Sequence, residues 1–105
     1  MHRLIQEKRA NIAAFCRRHH VRHLEVFGSA ARGEDFDPAR SDADFLVEFA
    51  PDADPNPKDF LEMKEALKSV LGREVDLVER KVIEKSRNYV RRRHILGHAE
   101  TVYVA

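Results

Sequence analysis

Three short apolar segments bounded by turn-forming or polar residues do most to constrain how this chain folds. Residues Val21–Phe27, 45–49 and 74–79 alternate or concentrate Val, Leu and Phe over lengths typical of β-strands. Two longer stretches, 4–19 and 60–71, have apolar residues at helical spacing. This succession of helices and strands predicts an α/β (α+β) fold, a small mixed sheet flanked by helices.

The other segments complete this prediction. A brief helix is expected to begin near Ser29, where a serine hydroxyl can cap free backbone N–H groups. Residues 34–41 and 51–57 are rich in Asp and Pro and indicate polar loops. Residues 82–96 predict a basic helical tail, and residues 101–104 predict an extended segment. We expect the sheet to carry its carboxylates on one face and its helices on the other.

Length and composition limit the class of protein. A chain of 105 residues predicts a single domain over residues 1–105, with little room for a second substrate-binding domain. The 19 basic and 18 acidic residues nearly balance, so no overall field favours membranes, and direct nucleic-acid binding is not expected. Cys16 is the only cysteine, which excludes an intrachain disulfide. With neither a membrane-spanning apolar run nor a signal-peptide pattern, the chain is expected to be cytoplasmic.

Aspartates mark the second and third predicted strands. Asp42 and Asp44 are two residues apart at the start of the second strand, so their side chains share a face, about 6–7 Å apart along the chain. Asp76 lies inside the third strand, and it joins them if that strand pairs beside the second. Converging carboxylates repel one another unless a cation neutralises them, and oxygen ligands favour Mg²⁺ or Mn²⁺ over zinc. Two such ions can activate an attacking oxygen and hold the phosphate that leaves.

Gly28 and Ser29 follow directly on the first predicted strand. Glycine permits a tight turn with close backbone approach, and a serine hydroxyl with neighbouring N–H groups can bind phosphate. A Gly-Ser turn alone is common, but its order with the aspartates predicts a nucleoside triphosphate site. Arg32 has two open interpretations, contact with a phosphate or partner, and a surface ion pair with Glu34 or Asp35.

The motifs FGSAARGE at residues 27–34, SDADFLVEF at 41–49 and VDLV at 75–78 resemble a known family. They look like those of the minimal nucleotidyltransferases of the DNA polymerase beta superfamily, and the resemblance extends over roughly residues 21–78. Small prokaryotic members of this family, called MNT-type proteins, are typically antitoxins paired with a HEPN-domain toxin, an RNase. Some transfer AMP from ATP to a tyrosine of that toxin and so silence it.

The resemblance implies a role for each motif residue. Gly28 and Ser29 would hold the triphosphate, Asp42 and Asp44 would bind Mg²⁺, and Asp76 would complete the carboxylate triad and help deprotonate the attacking hydroxyl. The implied reaction is attack by a protein hydroxyl on the α-phosphate of ATP, with release of pyrophosphate.

One departure and two alternative functions stay open beside this interpretation. The stretch between Ser29 and Asp42 is two residues longer than is usual in the family, a surplus that we assign to residues 35–40. The chain could instead neutralise its partner by binding alone, with an idle site. It could also be a small-molecule nucleotidyltransferase of the aminoglycoside type, although its shortness weighs against an enclosed acceptor site.

Histidines and arginines outside these motifs have simpler interpretations. His94 and His98 have helical spacing, but no third ligand stands nearby in the sequence, which argues against a metal site. His23 is expected to be solvated near a helix end, and Tyr89 is expected to pack. The three arginines 91–93 predict a solvated helix face, with an acidic partner or RNA as the alternative.

Overall fold

The computed structural model describes residues 3–27, 43–53 and 55–105, which contain both helices and strands. The helices are α1 (Arg3–Glu7), α2 (Arg9–Arg18), α3 (Pro57–Leu71), α4 (Arg80–Glu84) and α5 (Tyr89–His98). The strands are β1 (Val21–Phe27), β2 (Ala43–Phe49), β3 (Val75–Glu79) and β4 (Glu100–Val104). The predicted α/β class, a small mixed sheet flanked by helices, is confirmed.

The sheet has the strand order β3-β2-β1-β4. β2 and β3 are parallel, whereas β1 is antiparallel to both β2 and β4. A parallel pair needs a long crossover connection, and α3 supplies it between β2 and β3. The extended segment predicted at 101–104 is confirmed as part of β4, which pairs with β1.

The main hydrophobic core lies between one face of the sheet and α1, α2 and α3. Its fully buried members from the helices and strands include Ile5, Ile12, Phe15, Met63, Leu67, Leu24, Val26 and Phe45. Cys16 is also in this core, and burial raises the pKa of its thiol to about 12. The thiol is therefore protonated and unreactive at neutral pH.

The second face of the sheet is covered in part by α4 and α5. Leu46 of β2, Ile83 of α4 and Ile95 of α5 form a separate buried cluster, with Phe27 and Val78 packed against it. The prediction that helices cover only the face opposite the carboxylates is therefore wrong. Leu46 and Val78 stand between charged residues on that face, and their apolar surface needs a cover of its own.

Element boundaries differ from the prediction near the N-terminus and at α3. The helix predicted over 4–19 is two helices separated at Lys8, although the Lys8 N–H still bonds to the Leu4 carbonyl at 3.2 Å. α3 begins at Pro57, inside the predicted loop, because Asn56 caps the helix and proline suits its first turn.

The predicted helical tail over 82–96 is also divided into two helices. α4 ends before Lys85, and Asn88 begins α5 by accepting a hydrogen bond from the Arg91 N–H at 3.1 Å. The brief helix expected near Ser29 and the loop at 34–41 lie outside the described residues. No helix in the described part of the chain is long and apolar enough to cross a membrane.

Candidate active site

Asp44 and Asp76 are direct register partners on neighbouring parallel strands, β2 and β3. Neighbouring strands lie about 4.8 Å apart, so the two side chains start close together. Both alternate with core residues, Phe45 on β2 and Leu77 on β3, and therefore point to the same, second face of the sheet. The third strand therefore pairs beside the second, which is the condition under which Asp76 was expected to join the other aspartates.

The end of β1 reaches the same corner of the sheet. Phe27, the last residue of β1, is the antiparallel register partner of Asp44. Asp44 is therefore flanked by Phe27 on one side and by Asp76 on the other. The remaining predicted site residues, Gly28, Ser29, Arg32 and Asp42, lie outside the residues that the structure describes.

Both carboxylates are accessible to a ligand, since Asp44 is half-buried and Asp76 is exposed. Asp44 is the second residue of β2, next to Ala43, whose side chain is buried. The Ala43 N–H donates to the Glu74 carbonyl at 3.1 Å, and this bond joins the chain just before β3 to the start of β2. Backbone hydrogen bonding thus positions the two aspartates, while their side chains face outward.

The chemistry of this pair suits a divalent cation that prefers oxygen ligands. Two carboxylates in register on one face offer only oxygen donors, as Mg²⁺ requires. Within residues 3–27, 43–53 and 55–105, no group of three His, Cys, Asp or Glu side chains is arranged to hold a metal. Asp42 lies outside these ranges. His94 and His98, with ring centroids 4.7 Å apart, belong to no such group within the described part of the chain.

A buried ion pair on the same sheet face as the aspartates was not anticipated from the sequence. Glu25 of β1 is only 6% exposed, and its carboxylate accepts a hydrogen bond from the Arg80 guanidinium at the start of α4. Arg80 also donates to Glu84 at 3.1 Å. The sequence did contain a sign of this pair. Glu25 alternates with Leu24 and Val26 along the strand, so its side chain faces away from the main core.

His23 belongs to this cluster, so its predicted place near a helix end is wrong. It lies in β1, with Nδ1 3.7 Å from the Glu25 carboxylate and Nε2 2.9 Å from the Thr101 hydroxyl. Burial and, after it, the Arg80 guanidinium lower the pKa of His23. The imidazole therefore favours its neutral form in the folded protein.

Tyr89 also differs from its prediction. It was expected to pack, yet 58% of it is exposed at the start of α5. Only the opposite side of α5, through Ile95, is buried against the sheet.

The sequence matches a family model described as a nucleotidyltransferase domain over residues 9–98. It is also 41% identical over 63 residues to a Methanocaldococcus jannaschii protein named "Putative protein adenylyltransferase". That alignment covers 60% of this chain, and it spans only 61% of the length of the relative.

Two solved structures share the fold. One, named "Structure of putative minimal nucleotidyltransferase", is 32% identical, with 90% of this chain and 89% of that chain covered at a TM-score of 0.69. The other is the tri-AMPylated Shewanella oneidensis HEPN toxin in complex with an MNT antitoxin, with 17% identity and a TM-score of 0.63. It covers 96% of this chain and 73% of that chain, and at this identity the likeness shows the fold alone.

Proposed function

The chain belongs to the nucleotidyltransferase domain family, and from that membership we propose that it is a Mg²⁺-dependent adenylyltransferase that acts as an antitoxin. It transfers AMP from ATP to a tyrosine hydroxyl of a HEPN-domain RNase toxin and so neutralises the toxin. The observation that carries this proposal is the register pair of Asp44 and Asp76 on one accessible sheet face. The adenylyltransferase name of the archaeal relative and the AMPylated toxin in the Shewanella complex support the choice of reaction and acceptor.

The metal ligands of the proposed site are Asp42, Asp44 and Asp76. Mg²⁺, bound as two ions, would neutralise these carboxylates and the negative charge of the triphosphate. Asp44 and Asp76 suit this role because their register brings oxygen donors together on one face of the sheet. Asp42 precedes Ala43 in the sequence and is assigned by its motif.

The triphosphate is assigned to the segment that follows β1. Gly28 and Ser29 come directly after Phe27, the register partner of Asp44. In the proposed site their backbone N–H groups and the Ser29 hydroxyl bind phosphate oxygens, and Arg32 adds a positive charge. ATP and a reduced Cys16 both fit a cytoplasmic protein, which is the compartment we propose.

The proposed reaction is a single displacement at the α-phosphorus of ATP. The tyrosine oxygen forms a new bond to that phosphorus, and the bond from the phosphorus to the oxygen bridging the β-phosphate breaks. Pyrophosphate leaves, and the Asp76 carboxylate accepts the proton of the hydroxyl. The protein contributes mainly by positioning the two reactants and by stabilising charge.

The direct test is transfer of label from ATP labelled at the α-phosphate to the HEPN-domain partner in the presence of Mg²⁺. The Asp44→Asn and Asp76→Asn variants should each lose at least about 100-fold of the transfer rate, because each removes a charge that acts on the reacting groups. Asp52→Asn is the matched control, since Asp52 is an exposed aspartate in the loop after β2. It should label the partner at the rate of the unaltered protein.

The outcomes separate the alternatives. If Asp44→Asn abolishes labelling but still neutralises the toxin, the protein acts by occlusion and the enzymatic proposal fails. Label on a small molecule instead of the partner would favour the aminoglycoside-type activity. Replacing tyrosines of the partner by phenylalanine identifies the acceptor, and label retained in every such variant would contradict a tyrosine acceptor.

A further inference from the structure

The outer side of α5 carries an open groove that none of the proposed chemistry uses. It is a cavity of about 380 Å³, and we call it the α5 groove. Its lining residues are Tyr89, Val90, Arg93, His94, Gly97 and His98. Because these residues recur at helical spacing, they form one continuous stripe along the helix.

The α5 groove exposes large apolar side chains. Tyr89 is 58% exposed and Val90 is 77% exposed, whereas Ile95 on the opposite side of the helix is 6% exposed. The Arg92 guanidinium lies 5.3 Å from the centre of the Tyr89 ring and also donates to the Glu84 carbonyl at 3.3 Å. This cation–π contact favours a position of the tyrosine ring near Arg92 on the helix surface.

The charge around the groove is of one sign. Residues 85–98 contain five Lys and Arg and no Asp or Glu, in a chain whose net charge is only +1. Arg93 is exposed in the lining of the groove, and Arg91, two residues before it on α5, is also exposed. A surface with this field attracts an acidic partner and repels a basic one.

We propose that the α5 groove binds an acidic amphipathic helix of a protein partner. The apolar side chains of that helix would lie over Tyr89, Val90 and Gly97, and its carboxylates would pair with Arg91 and Arg93. Tyrosine and arginine around an apolar centre are typical of protein interfaces. The lining also contains His94, His98 and Arg93, which can stack on the bases of single-stranded RNA, so an RNA oligonucleotide is the competing ligand in the test.

This inference deepens the proposed function and rests on it only for the identity of the partner. α5 packs through Ile95 against Leu46, which is on the same sheet face as Asp44 and Asp76. A partner seated on α5 is thus held on the side of the sheet from which an acceptor hydroxyl must approach.

The probe for the test is a synthetic helical peptide of about 18 residues, long enough to hold a helix, with a leucine stripe flanked by glutamates. Its binding to the full chain is measured by fluorescence anisotropy. Val90→Glu and Arg93→Glu should each raise the Kd at least about tenfold, since each places a repulsive charge in the interface. Leu61→Glu is the matched control, because Leu61 is 56% exposed on α3, away from the groove, and should leave the Kd unchanged.

Gly97→Leu is a variant that is expected to fold as the unaltered protein does. A Cβ added at Gly97 meets nothing within 4 Å, and replacing a helical glycine favours the helix. This variant should melt no lower than the unaltered protein, yet raise the Kd at least about tenfold by filling the groove.

Several results would overturn the inference. The glutamate peptide could fail to bind, or a lysine-flanked peptide could bind equally well. Leu61→Glu could raise the Kd as much as Val90→Glu does. An RNA oligonucleotide of equal charge could bind more tightly than the glutamate peptide. Asp44→Asn should abolish AMP transfer and leave peptide binding intact. If the unaltered protein binds the peptide but transfers no AMP, the proposed adenylyltransferase activity is contradicted and the proposed role of the α5 groove is supported.

Discussion

Glu25 is the buried charged residue around which the second face of the sheet is arranged. Among the residues described, it is the only buried charged residue, at 6% exposure. The Arg80 guanidinium pairs with it and with Glu84, which ties the start of α4 to β1 across the intervening strand β2. Loss of one member of a buried ion pair leaves the other charge uncompensated. The fold therefore needs the Arg80 guanidinium in order to keep the Glu25 carboxylate buried.

His23, beside this pair, gives stability a specific dependence on pH. Its folded pKa lies below the ordinary value of 6.5 because of burial and the Arg80 guanidinium; Glu48 opposes this shift and Arg22 adds to it. The unfolded chain then binds more protons than the folded chain between the two pKa values. The free energy of unfolding therefore falls as the pH drops below about 6.5, and this loss stops once the folded pKa is passed.

We predict that His23→Gln has a flatter pH dependence of stability than the unaltered protein. Urea unfolding between about pH 7 and pH 5 measures the free energy of unfolding across the interval in which an ordinary histidine becomes protonated. His98→Gln, at an exposed histidine outside the cluster, should keep the original slope. Equal slopes for the unaltered protein and His23→Gln would contradict the prediction.

At the scale of elements, α3 connects the two strands that carry the aspartates. Asn56 accepts a hydrogen bond from the Asp59 N–H at 2.9 Å, and the Asp59 carboxylate accepts one from the Asn56 N–H at 3.3 Å. At the other end Gly72 has a φ of 68°, a left-handed conformation that glycine adopts without strain. Both ends of the crossover are thus set by local residues, while Met63, Leu67 and Leu71 bury its inner side.

Asn56→Ala should lower the free energy of unfolding by about 1 kcal/mol, because it leaves N–H groups of the first turn without their cap. Chemical denaturation with an unchanged m-value is the measurement. Asn56→Asp retains an acceptor at the cap and should lose far less. Lys58→Ala, an exposed change in the same turn, should be nearly neutral, and a loss there equal to that of Asn56→Ala would count against the capping explanation.

At the scale of the whole molecule, the candidate site exists only in the assembled sheet. Phe27, Asp44 and Asp76 come from three separated strands, and their alignment depends on β2 lying between β1 and β3. Unfolding separates these residues, so a ligand that needs them together binds the folded protein alone. Such a ligand must stabilise the fold.

Mg²⁺ with a non-hydrolysable ATP analogue should therefore raise the melting temperature. At a ligand concentration of 100 times the Kd, the stabilisation amounts to about 2.7 kcal/mol. Asp44→Asn and Asp76→Asn should lose most of the shift, whereas Asp52→Asn should keep it. No shift at saturating ligand, with partner binding intact, would favour neutralisation by binding alone.

The amino-acid sequence by itself determined the type of most elements and the phase of the candidate residues. The strands around Glu25, Asp44 and Asp76 were predictable because alternation is a property of neighbouring residues. Prediction was poorest at breaks such as Lys85–Asn88, where a basic segment continues past the end of one helix and into the start of the next. The roles of Gly28, Ser29, Arg32 and Asp42 stay predictions, since these residues lie outside the described part of the chain.

Only the tertiary structure decided which elements meet. It paired Asp44 with Asp76, placed α4 and α5 on the carboxylate side of the sheet, and joined Arg80 to the buried Glu25. Each of these contacts links residues far apart in the chain. Its stability depends on how much apolar surface the whole fold buries and on whether the charges that it buries are paired. A local pattern shows which way a side chain points from its strand, but the neighbour that it meets is chosen by the packing of the entire molecule.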